Sequence, residues 1–167
     1  MSVFSKLILL LACTLMISCG FKLRGSQVFN FKTIGVVSTS HASVVQDLKK
    51  QLMLSTEVLS AGDDLSKAEY ILEISYEKRE RQVTGFSTSG SVKDLKIGCT
   101  VAFSFRTHTG RTLISNVEIS RQRNIGFNET QALSKALDED AIYVDLKADI
   151  VRQILKRLSV VSYAAQS

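Results

Sequence analysis

Proline is absent from this 167-residue chain, histidine occurs twice and cysteine three times. With no proline, no low-complexity linker and no internal repeat, nothing divides the chain, and its length reads as one domain. The scarce histidines also remove chemistry. His41 falls in the first turn of an expected helix and His108 in a hairpin turn, so both read as solvated surface. Neither stands in a His-Glu-x-x-His spacing, and there is no Cys-x-x-Cys pair. Gly-x-Ser-x-Gly and Walker-type loops are missing too. The segment Gly85-Phe86-Ser87-Thr88-Ser89-Gly90 has too few glycines for a phosphate cradle and sits in a hairpin, not before a helix. Acidic residues cluster only as Asp63-Asp64 and Asp138-Glu139-Asp140, each on one element with no nearby base. The chain is therefore expected not to be an enzyme.

What is present begins with a leader. Lys6 is followed by an almost wholly apolar run from Leu7 to Ile17. A short basic segment before 7–15 apolar residues reads as a secretory signal. The run falls short of the roughly 20 residues that span a bilayer. Met16-Ile17-Ser18-Cys19 then resembles a bacterial lipobox, which makes residues 1–18 the signal peptide and Cys19 the acylated first residue. Leu10-Leu11-Ala12-Cys13 is a competing match, although it leaves a short apolar region. Gly20, not Asp, follows Cys19, which permits sorting to the outer membrane by resemblance to proteobacterial lipoproteins. Only Cys99 then remains as a free thiol, so no intrachain disulfide is expected. It reads as a small buried hydrophobe. Of 21 basic and 16 acidic residues, loss of Lys6 leaves 20 against 16. This mild surplus suits an acidic partner surface, and secretion argues against nucleic acid.

Residues 19–32 read as a tether, with Val28, Phe29 and Phe31 able to dock on the body. Thr33-Ile34-Gly35-Val36-Val37 is a β-branched run, read as a strand. Ser38-Thr39-Ser40 offers N-caps to a helix over 41–56, whose Val44, Val45, Leu48, Leu52 and Met53 recur at helical spacing. Glu57-Val58-Leu59 is a brief strand. Alternation then marks two long strands. Tyr70, Leu72, Ile74 and Tyr76 form one inward row; Leu95, Ile97, Cys99, Val101, Phe103 and Phe105 form the other. After His108-Thr109-Gly110-Arg111 a third strand returns, with Leu113, Val117 and Ile119 inward. Ile71, Ala102 and Ile114 leave some apolar character on the opposite face. Asn128-Glu129-Thr130-Gln131 resembles a capping box. The helix it opens carries a stripe of Leu133, Leu137, Ala141, Val144, Ala148, Val151, Leu155 and Leu158, and Ser159 onward is expected to fray.

The order predicts an α/β two-layer sandwich over residues 33–160, with two helices packed on one face of a mixed, mainly antiparallel β-sheet and a frayed tail at 161–167. The other sheet face is free to meet a partner. Phe86, a large apolar side chain in the polar hairpin tip, is a candidate partner contact.

Cys19-Gly20-Phe21-Lys22-Leu23-Arg24-Gly25 resembles the start of the mature lipopolysaccharide-assembly lipoprotein LptE family. Arg123-Asn124-Ile125-Gly126-Phe127-Asn128 and Gln131-Ala132-Leu133-Ser134-Lys135 resemble that family's approach to its last helix. The resemblance implies a protein without cofactor, anchored in the inner leaflet of the outer membrane. It implies that the protein plugs the β-barrel translocon LptD, helps that barrel assemble and binds lipopolysaccharide. Lys135 matches a basic position of the family and is the leading lipopolysaccharide candidate. Arg121 and Arg123, close to the start of that helix, extend the set, with Lys93 and Lys96 near the hairpin tip behind them. An auxiliary or substrate-binding lipoprotein of an ABC-type lipid transport system would share leader, size and layout and stays open. A small periplasmic hydrolase would need a cleft of convergent titratable groups.

Overall fold

The computed structural model describes residues 29–40, 42–126 and 132–165, with side chains from residue 139 in the last segment. The leader, Cys13 and Cys19, Val28, and the capping box at 128–131 lie outside the described residues. The elements run β1 (Thr33–Ser38), α1 (Val44–Leu52), β2 (Glu57–Leu59), a 3-10 turn (Leu65–Lys67), β3 (Tyr70–Phe86), β4 (Val92–Thr107), β5 (Thr112–Gly126) and α2 (Ala132–Ala164). They build a five-stranded sheet in the order β2-β1-β3-β4-β5. β1 pairs parallel with both β2 and β3, and the long β3-β4-β5 meander is antiparallel. Both helices contribute to one core on a single face, so the expected α/β sandwich is the one that forms.

The core follows from the alternation of β4. Leu95, Ile97, Val101, Phe103 and Phe105 are fully buried, and Cys99 nearly so. Burying each large side chain of this kind stabilises the fold by roughly 1.5–3 kcal/mol. Leu48 and Leu52 of α1 and Ile150, Ile154 and Leu158 of α2 close over this row. Phe31 docks as the sequence suggests: its ring packs at a tilt against Phe29 at 5.1 Å, Tyr70 at 5.3 Å and Phe105 at 6.4 Å. Gly35 allows a close approach on the opposite face. A Cβ there would stand 2.9 Å from Leu65 Cδ2, so the 3-10 turn lies tight against β1 and covers Ile71.

The structure corrects several expectations. The register between β3 and β4 slips at Ser75, so that Ile74 pairs with Phe103 but Tyr76 with Ala102. A bulge of one residue inverts the faces of everything beyond it. Tyr76 therefore turns outward, and Glu77, Arg79, Arg81 and Val83 turn toward the helix side. β5 slips at the same level: Ile114 pairs with Phe105 and Val117 with Phe103, so that Ser115 and Asn116 stand opposite the single residue Ser104. Ile114 consequently packs on the core side, not the opposite face. Asn116 takes the strain with a φ of 27°, and its side-chain oxygen accepts from Ser75 Oγ at 3.0 Å, joining the two bulges.

The helices differ in detail. α1 is shorter than 41–56, and Met53, expected inward, is 59% exposed. The buried stripe of α2 is Leu146, Ile150, Ile154 and Leu158, a step of four that rotates the core face away from the expected one. Ala141 and Val144 point to solvent, while Val151, Leu155 and Leu158 remain buried as expected. α2 is 33 residues long, roughly 50 Å. It holds its helical form past Ser159 as far as Ala164, with Ser162 buried and its hydroxyl donating to Ser159 O.

Candidate functional site

The bulge at Ser75 creates the site. Beyond it, Arg79 pairs across β4 with Cys99 and onward to Arg121, and Arg81 pairs with Ile97 and onward to Arg123. Two arginines from β3 and two from β5 thus stand on the helix face, on either side of the apolar row of β4. α2 lies over that row and meets the arginines with its own side chains. Arg81 Nε is 3.2 Å from Glu139 Oε2, and Arg123 Nη1 is 3.3 Å from Asp145 Oδ2. The Arg79 guanidinium sits 5.0 Å above the Tyr143 ring, and the Tyr143 hydroxyl donates to Glu80 O at 3.0 Å. Burial, then the Glu139 charge, pushes the Tyr143 hydroxyl above its ordinary pKa. The Arg121 guanidinium donates to Ser120 O at 2.9 Å. About half of the Arg81 and Arg123 side chains stays exposed. The arrangement can bind anions by charge-assisted hydrogen bonds, and the same guanidinium groups orient the helix.

Glu77, also turned inward by the bulge, supplies the cap that α1 lacks. The N-cap Ser43 makes no side-chain cap bond, and Ser38-Thr39-Ser40 does not fill the role. Instead Val44 N donates to Glu77 Oε2 at 2.9 Å and Ser43 Oγ to Glu77 Oε1 at 2.9 Å. A carboxylate facing the first turn satisfies free N–H groups and opposes the helix dipole. Lys147 of α2 joins this corner, its Nζ 2.9 Å from Asp47 Oδ2.

The opposite face of the long meander is polar. Tyr76 Oη donates to Glu118 Oε1 at 2.6 Å, Thr100 Oγ1 donates to Ser120 Oγ at 3.1 Å, and Lys78 Nζ lies 2.6 Å from Glu80 Oε1. The Glu80 hydrogen bond holds the Lys78 ammonium above its ordinary pKa. Ala102, expected to lend this face apolar character, is fully buried.

The sequence-derived candidates divide. Arg121 and Arg123 share the helix face. Lys96 pairs with Gln82 and Asn124 on the opposite face, and exposed Lys93 lies at the hairpin end. Lys135 belongs to the first turn of α2, with its side chain outside the described residues. Phe86 is 66% exposed beside the hairpin tip. Arg79 and Arg81 were missed, because uninterrupted alternation from Tyr70 sends them outward. Ser75 stands in the same alternate row as Glu73 and Glu77, so no residue type marks the slip. Among the described residues no group of three or more His, Cys, Asp and Glu could hold a metal. Cys99 is buried, and burial raises its thiol pKa, which leaves it a poor nucleophile.

An α/β sandwich with an arginine-framed helix and a long polar sheet face can serve as a binding scaffold. A family model described as "LptE: Lipopolysaccharide-assembly" matches residues 31–158. The chain belongs to the LptE lipopolysaccharide-assembly family, which is not a family of enzymes. Comparison with the curated proteins by sequence finds no match. Among solved structures, an uncharacterized lipoprotein B from Nitrosomonas europaea is 29% identical, with a TM-score of 0.73 over 87% of this chain and 94% of that one. The rare lipoprotein B from Shewanella oneidensis shares the fold at 13% identity and a TM-score of 0.70, over 81% of this chain and 100% of that one. A minor lipoprotein from Acinetobacter baumannii does so at 14% and 0.62, over 79% and 93%.

Proposed function

We propose that this protein is an outer-membrane lipoprotein, acylated at Cys19, that occupies the lumen of an LptD-type β-barrel, assists its assembly and binds lipopolysaccharide on its way to the cell surface. The family match over residues 31–158 carries the reading. The geometry supports it in two ways. The lumen of a large barrel is polar and wet, and the β3-β4-β5 face offers hydroxyl, amide and charged groups, not an apolar patch. Lipopolysaccharide presents phosphates and carboxylates, and the arginine frame at the start of α2 is built for such groups. Arg121, Arg123 and Lys135 are the proposed contacts, with Lys93 and Lys96 secondary and Phe86 directed to the barrel. Arg79 and Arg81 join the first group because they flank the same helix.

Detergent extraction of the native envelope, followed by affinity purification and mass spectrometry, tests the reading. Recovery of an outer-membrane barrel with bound lipopolysaccharide is expected. Recovery of an inner-membrane transporter instead would favour the auxiliary-lipoprotein reading.

A further inference from the structure

Toward the C-terminal end of α2, an open groove of about 490 Å³ runs between the helix and β5. Ile114, Val160 and Val161 give it apolar walls, and Gln153, Lys156 and Arg157 give it a polar rim. Val160 is 62% exposed. Lys156 and Arg157 are both exposed. Neighbouring cations on the same helix are engaged: Lys147 with Asp47, and Arg152 with Asp149. The side chains of Lys156 and Arg157 make no ion pair or hydrogen bond among the described residues. Two adjacent uncompensated cations over an apolar floor are complementary to an anionic amphiphile: an acyl chain on the valines, a phosphate between ammonium and guanidinium.

The position of the groove says where such a molecule comes from. Ile114 is the register partner of Phe105. Phe105 also adjoins Phe31, whose ring lies 5.1 Å from that of Phe29, the first described residue. The N-terminal segment therefore enters the fold beside this groove. From Cys19 to Phe29 is ten residues, which reach at most about 35 Å when fully extended. If Cys19 carries the anchor, this end of the domain cannot move far from the leaflet that holds it.

We propose that the groove of Ile114, Val160 and Val161 binds an acyl chain, and Lys156 with Arg157 the phosphate, of an anionic glycerophospholipid, seating this end of the domain on the membrane. For its location at the leaflet, though not for its chemistry, the proposal rests on the acylation of Cys19 put forward above. The lipid on Cys19 would fix where the chain begins, and this groove fixes how the domain lies against the leaflet.

The test uses the mature chain from residue 19 with Cys19→Ser, which removes the anchor and leaves the fold intact. It is floated with vesicles of phosphatidylcholine, alone or mixed with phosphatidylglycerol. Binding is expected only with phosphatidylglycerol. The variant Lys156→Gln/Arg157→Gln should bind roughly thirtyfold more weakly, since each cation near an anionic surface contributes about 1 kcal/mol. The chain has no tryptophan, so Val160→Trp adds a single reporter. Its emission should shift to the blue in those vesicles and be quenched by lipids brominated along the acyl chain. Equal partitioning into both vesicle types, or undiminished binding by the double variant, would overturn the proposal. Tighter capture of lipopolysaccharide micelles than of phosphatidylglycerol by the same two cations would overturn the assignment to phospholipid. Intact mass of the native mature chain reads the acylation of Cys19 separately. An unmodified Cys19 would remove the anchor while leaving the vesicle result to stand or fall alone.

Discussion

Tyr76 and Glu118 close a bridge over Ala102. All three lie in one row across β3, β4 and β5, and the tyrosine hydroxyl donates to Glu118 Oε1 at 2.6 Å above the alanine methyl. This explains why a small apolar residue on the polar face is fully buried. The hydrogen bond to Glu118, with some burial and the charges of Glu118 and Glu80, raises the Tyr76 pKa. Tyr143 is raised as well, mainly by burial. A pKa raised by folding means the unfolded chain loses its proton first. Above the ordinary tyrosine value of about 10, the unfolded state binds fewer protons, so stability falls as pH rises. Urea midpoints measured across alkaline pH should show this fall, and Tyr76→Phe with Tyr143→Phe should flatten it. An unchanged slope in the double variant would contradict the assignment.

Glu77→Ala should destabilise the domain by about 1–2 kcal/mol, the usual cost of losing a helix cap. It strands Val44 N and Ser43 Oγ, the two donors that Glu77 satisfies. Glu77→Gln keeps one acceptor and should lose less. Chemical denaturation reads both. Equal losses would mean that packing, not capping, accounts for the buried side chain.

Lys135→Asp should weaken lipopolysaccharide binding and leave barrel co-purification intact. Arg121→Gln should act in the same direction with little loss of stability, since its guanidinium bonds only the neighbouring Ser120 O among the described residues. Arg123→Gln also breaks the pair with Asp145, so a loss of up to about 1 kcal/mol accompanies its effect. Binding of lipopolysaccharide to the purified variants, read beside a thermal melt, separates the two contributions. Unchanged binding in all three would remove this end of α2 from the site.

Phe86→Ala should leave stability within about 0.5 kcal/mol of the parent, as for other exposed substitutions, because its ring is 66% exposed. Recovery of the barrel partner should fall. A destabilised variant with normal partner recovery would assign Phe86 to the fold instead.

Cys99 should resist alkylation in the folded protein at neutral pH and react readily after denaturation. Its thiol is 1% exposed, and burial holds it protonated. Mass spectrometry after a short iodoacetamide pulse distinguishes the two states.

The layers and most of the core were legible from β4, where six alternate apolar residues from Leu95 to Phe105 all turn inward. β4 is the central strand of the meander and runs without a bulge from Leu95 to Thr107. Its neighbours were harder to read, because alternation assumes one phase from end to end. Ser75 and the pair Ser115-Asn116 each lengthen their strand by one residue, and polar side chains in a strand give no sign that the phase has changed. Tyr76 and Ile114 were misplaced for this reason, and Arg79 and Arg81 were overlooked. The stripe of α2 was misread for another. Ala141, Val144 and Ala148 form a second apolar line beside the buried one, and sequence spacing cannot tell which line the sheet covers. The candidates Arg121 and Arg123 were found by their nearness to α2, while Lys93 and Lys96 came from nearness to the hairpin tip, which does not bring them to the same face.

The slip at Ser75 has a consequence for how this hairpin can change length. Removing that single residue would let Ile74 run straight on to Tyr76 in the register that pairs them with Phe103 and Ala102, so Glu77, Arg79 and Arg81 would keep the helix side. A single deletion beyond it, such as that of Lys78, would instead turn Arg79 and Arg81 away from α2 while Glu77 kept its place at the helix cap. The bulge can thus be lost without changing sides, whereas one step in length past it amounts to a frameshift in space.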